Sequence, residues 1–137
     1  MSVISDRSEP KAESRRMTPP APIVTLSANL LADLPDARSG EVFTEFLARP
    51  GCRIERIVSQ GQVTPQDQPY RQDHDEWVLL LAGAARVAMG DAETVLVPGD
   101  PLFIPAGTTH RVTFTDPDRP TIWLAIHLGE TGLPIGT

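Results

Sequence analysis

The chain has 137 residues, a formal net charge of -6, 40% apolar residues and a single cysteine. The acidic balance disfavours nucleic-acid partners, whose phosphates it repels. Cys52 alone rules out an internal disulfide and suits a reducing cytoplasm, and no apolar run nears the ~20 residues that a membrane span needs.

In chain order, residues 1–22 are polar, charged and proline-rich, which predicts a disordered tail before a single domain over 23–137. The first twenty residues lack the apolar core of a secretory signal. Ile23, Val24 and Leu26 are candidates for an edge strand. Val42, Phe43, Phe46 and Leu47 then recur at helical spacing. Ser39 is placed to cap that turn and Glu41 to favour its positive end, so the pattern predicts one short helix, stopped by Pro50-Gly51. From there the pattern is all-β. Strands are predicted over 53–59, 76–82, 85–89, 94–97, 102–104, 110–115 and 121–128. Glycine- and proline-rich turns separate them, with Gly90-Asp91 as a hairpin signal. Short strands at this spacing build a sandwich or barrel.

Strand side chains alternate, so residues two apart share a face. Gln72, His74 and Glu76 share one if their strand extends back that far. His110 shares a face with Val112 and Phe114 on a later strand. If both faces line a lumen, His74, Glu76 and His110 form an imidazole–carboxylate set able to hold a first-row divalent metal. The plainer alternatives stand beside it. His74 is then a loop histidine among acids, Glu76 a structural carboxylate paired with an arginine, and His110 a hydrogen-bonded core residue. His127 shares a face with Trp123 and Ala125, and is either structural, a fourth ligand or a general base. Tyr70 either reaches a lumen ligand or sits at the rim. Arg53 and Arg56 differ in parity, so at most one points inward, where it suits a carboxylate ligand. Trp77 and Trp123 are expected between the sheets or at a subunit contact.

Gly99, Pro105, Gly107 and His110 follow the spacing of the second motif of the cupin superfamily, with Phe114 at the family's asparagine position. Glu76 and Gly83 match the end of its first motif. The two histidine positions of that motif fall on Tyr70 and Gln72, or on Pro69 and Arg71, and His74 lies nearer Glu76. Over roughly 53–128 the chain therefore resembles small single-domain cupins. The resemblance implies a double-stranded β-helix (jelly-roll) barrel and a homodimer. It also implies a divalent transition metal (Fe, Mn, Ni or Zn) held by Glu76 and His110, with either His74 or the pair Gln72 and Tyr70 in place of the family's two histidines. The expected function is a metal-dependent reaction on a small polar substrate, of dioxygenase, isomerase or lyase type, with Tyr70 or His127 moving protons. The alternative is a metal-free barrel that binds a sugar or small acid through Gln72, His110 and an arginine such as Arg53. A third is an interaction module with a filled lumen.

Overall fold

The computed structural model describes residues 29–129. The tail and the edge strand expected around Ile23 lie outside them. Eight strands follow in order: β1 (Val42–Arg49), β2 (Cys52–Ser59), β3 (Asp75–Ala82), β4 (Ala85–Met89), β5 (Ala92–Leu96), β6 (Pro101–Ile104), β7 (His110–Thr115) and β8 (Thr121–Leu128). A five-stranded sheet runs β1-β2-β8-β3-β6 and faces a three-stranded sheet β5-β4-β7. All pairings between these strands are antiparallel.

The expected short helix is not formed. Its residues are β1, paired with β2 along its length, and Pro50-Gly51 is the turn of that hairpin. Two physical effects override the helical spacing. A seven-residue helix gains too few internal hydrogen bonds to offset its nucleation cost, whereas β2 offers a full ladder. A bulge between Glu45 and Leu47 shifts the register of β1, so an interrupted two-residue period imitates a helical one.

The core fills the space between the sheets. Val78, Leu80, Ala85, Val87, Leu96, Trp123 and Ala125 are buried together, with Ile57, Met89, Leu102 and Val112 against them. On β3 the buried positions are Glu76, Val78 and Leu80, so one face of this strand supplies both core and pocket. Trp123 is buried as expected, and its indole N–H donates to Ser59 Oγ at 3.2 Å. Trp77 lies on the opposite, half-buried face of β3.

Candidate functional site

The inward faces of β2, β3, β4, β6, β7 and β8 open into a cavity of about 270 Å³. Its apolar floor includes Ile57, Val78, Val87, Val112 and Trp123. Its polar wall comprises Glu41, Arg53, Glu55, Tyr70, Gln72, Glu76, His110 and His127. Arg53 and Glu55 share a face two residues apart on β2. Register places His127 directly across from Arg53 on one side and from Glu76 on the other. The parity argument for the two arginines holds: Arg53 lines the cavity, while Arg56 packs over the Phe46 ring and donates to the Leu30 carbonyl.

His110 is the most sharply positioned group. Its backbone exchanges two hydrogen bonds with Tyr70, at 2.8 and 2.9 Å. Its Nδ1 lies 3.0 Å from the Thr108 carbonyl oxygen. A carbonyl only accepts, so Nδ1 carries the hydrogen and Nε2 of the neutral ring keeps a lone pair. The Tyr70 ring stacks on the imidazole, with centroids 5.6 Å apart. Gln72 is fixed through its carbonyl, which accepts from the Gly107 N–H at 2.6 Å, and its side-chain amide donates to Glu76 Oε1 at 2.8 Å. Gly107 has φ +78°, which glycine adopts without strain. Glu41 accepts a hydrogen bond from Ser59 Oγ at 2.6 Å.

Partial burial, and then the carboxylates of Glu41 and Glu76, push the Tyr70 phenol above its ordinary 10.0. It is therefore a protonated donor across the neutral range. Because the folded value is raised, this contribution to stability is complete below pH 10.0 and is lost as pH climbs through the raised range. Tyr70 is the only tyrosine, so tyrosinate absorbance reports it alone. Its midpoint should lie higher in the folded protein than in urea. In Tyr70→Phe, the part of the alkaline stability loss that comes from this phenol should disappear.

The expected ligand set of His74, Glu76 and His110 is not assembled. β3 begins at Asp75, so the alternation that would turn His74 into the lumen stops short of it. His74 is buried, but its Nε2 lies 2.9 Å from His127 Nδ1 and its ring does not line the cavity. His127 does line the cavity, yet both its nitrogens are engaged, the second 2.9 Å from Glu55 Oε2. It is thus neither a free ligand nor a free base. Glu76 and His110 remain as two donors. Among the described residues, no group of three or more His, Cys, Asp or Glu side chains is arranged to hold a metal ion. An open catalytic metal site ordinarily takes three protein ligands, so the donor set does not fit one.

Sequence reasoning did not place Glu41 or Glu55 in the cavity; Glu41 was assigned to the first turn of the helix that does not form. Glu55 was within reach, because it lies two residues from Arg53 on the same strand face. Among the described residues no helix is long and apolar enough to cross a membrane.

Comparison with known proteins places this architecture. No curated protein matches the chain. A protein from Ralstonia eutropha JMP134, provisionally named a mannose-6-phosphate isomerase, is 42% identical and superposes with a TM-score of 0.72, covering 76% of this chain and 98% of that one. A cupin superfamily protein from Desulfitobacterium hafniense DCB-2 is 24% identical with a TM-score of 0.61, covering 73% of this chain and 88% of that one. KdgF from Halomonas sp. is 21% identical with a TM-score of 0.59, covering 75% and 92%. The last two share the fold alone. Residues 56–127 match the Cupin domain family, and the chain belongs to the cupin superfamily.

Proposed function

We propose that this cupin binds a small, uncharged, hydroxyl-bearing molecule in its lumen and moves a proton on or off it without a metal ion. The observation that carries the reading is Nε2 of His110, which has no partner among the described residues, with Nδ1 held by the Thr108 carbonyl and the ring lining a ligand-sized cavity. A neutral imidazole with one committed N–H and one open lone pair is a ready general base. The stacked Tyr70 phenol, kept protonated, is the matching donor. The product class is that of an isomerase or epimerase, in which a proton is removed and returned. The same lumen serves a binding or sensing role if no proton moves.

Charge selects the ligand. Glu41, Glu55 and Glu76 face the cavity against one guanidinium, Arg53. A phosphate dianion meets net repulsion there, and poorly screened walls strengthen it. Hydroxyl groups instead find carboxylate acceptors, the Gln72 amide and an imidazole. The phosphorylated sugar in the name of the Ralstonia protein is therefore disfavoured, and its dephosphorylated form is favoured. Thermal unfolding with mannose, fructose and mannose 6-phosphate tests this, each with and without EDTA. Free sugars should stabilise, EDTA should change nothing, and the phosphate ester should do least. Stabilisation that vanishes with EDTA would overturn the metal-free reading. Elemental analysis after exposure to Mn, Fe, Ni and Zn should likewise find only substoichiometric metal. A homodimer in the cytoplasm belongs to the same proposal. It is supported by the exposed Phe43 and Leu47 on edge strand β1 and by the single cysteine, and sedimentation checks the dimer.

A further inference from the structure

We propose that His74 and His127 form a two-imidazole proton relay joining solvent at Asp73 to the Glu55 carboxylate in the lumen. It deepens the proton-transfer reading above by naming a second proton-handling group, Glu55, and its supply line.

The geometry is a chain of close contacts. Asp73 is 95% exposed, and its Oδ1 lies 3.5 Å from His74 Nδ1. His74 Nε2 is 2.9 Å from His127 Nδ1, and His127 Nε2 is 2.9 Å from Glu55 Oε2. Both imidazoles are buried, at 6% and 3% exposure. Glu55 as a carboxylate only accepts, so His127 donates from Nε2, and in the neutral ring its Nδ1 is bare. That bare nitrogen accepts from His74 Nε2–H. Every polarity in the chain is then fixed by one end.

One atom breaks the pattern of a merely structural pair. His74 Nδ1 is buried and has no hydrogen-bond partner. Buried polar atoms are rarely left so, and this one is the outermost nitrogen, beside an exposed carboxylate. It is where a proton enters. The proton adds to His74 Nδ1, the Nε2 proton of His74 passes to His127 Nδ1, and the Nε2 proton of His127 passes to Glu55 Oε2. One proton enters, one arrives, and both rings end neutral with exchanged tautomers. Return of the proton from Glu55 reverses each transfer and restores the starting state. The other charged groups facing the relay are Arg53 from β2 and Glu76 from β3, each directly across from His127, with His110 of β7 on the far wall of the cavity.

The test is nitrogen-15 NMR of the full chain without ligand. The His127 proton should sit on Nε2, and its exchange with water should slow roughly tenfold in His74→Gln. Glutamine keeps a donor to His127 Nδ1 but cannot pass a proton, so a structural role alone would leave the rate unmoved. Asp73→Asn alters only an exposed side chain and should slow the exchange less. If His74→Gln does not fold, Asp73→Asn decides. Exchange unchanged in the folded variants, or a His127 proton on Nδ1, would overturn the relay. Neither result touches sugar binding, and a sugar panel without effect leaves the exchange result standing.

Discussion

Gly83→Ala should lower the unfolding free energy by about 2–5 kcal/mol, the sum of backbone strain and overpacking. Gly83 turns β3 into β4 at φ +88°, outside the range that L residues favour. A Cβ there would lie 2.4 Å from Thr121 Oγ1, 2.6 Å from Thr121 Cα and 2.8 Å from the Pro120 carbonyl oxygen. None of these can retreat cheaply. Thr121 is fully buried, its hydroxyl lies within hydrogen-bond reach of both the N–H and the carbonyl of Ala84, and it pairs with Ser59 at the start of β8. Moving it would displace the strand that carries Trp123 and His127. Gly90→Ala is the control. Its φ is +57° and nothing lies within 4 Å of the added carbon, so only about 1–2 kcal/mol of left-handed strain applies. Urea unfolding of the two variants separates clash from strain, and equal losses would show that the β3–β4 turn yields freely.

That turn belongs to the legible part of the sequence. Glu76 and Gly83 bracket a strand whose bounds moved by one residue, and 85–89, 110–115 and 121–128 are strands with the expected bounds. These segments were legible because each is rich in β-branched or apolar residues and has a turn signal at each end, so pattern and pairing agree. β1 was not, because a bulge in an edge hairpin broke its alternation. The site divides in the same way. Arg53, Glu76, His110 and His127 lie inside regular strands, or at their first residue, where alternation says which neighbours share a face; which face lines the lumen, and which of Arg53 and Arg56 turns inward, comes from the packing of the sheets. Gln72 and Tyr70 reached the lumen from a loop that hydrogen bonds to Gly107 and His110 hold in place. The lumen placement of His74 depended on β3 extending back past Asp75, and the strand begins there. The true partner of His74, His127, is 53 positions away, and no local pattern carries that information. The same holds for Glu55, whose link to His127 spans β2 and β8.

His110→Ala should leave a folded protein that no longer responds to its ligand. The backbone of residue 110 pairs with Tyr70 on one side and with Met89 on the other, and neither pairing needs the imidazole. Loss of the ring removes the stacking with Tyr70 and the bond to Thr108, for a cost of about 1–2 kcal/mol. The effect on binding is larger in kind. A ligand at a hundred times its Kd adds about 2.7 kcal/mol to the unfolding free energy. For a domain of this size that is a Tm rise of about 10 °C. In His110→Ala the rise should fall close to zero, because the one imidazole nitrogen of the cavity left open among the described residues is gone and the facing Glu76 loses the donor–acceptor set it works with. Gln72→Ala should weaken the rise without abolishing it, since the amide supports Glu76 and does not replace it. A full rise retained by His110→Ala would move recognition to the Arg53 and Glu55 wall. The base would then have to be sought among the groups that the β2–β8 ladder holds together.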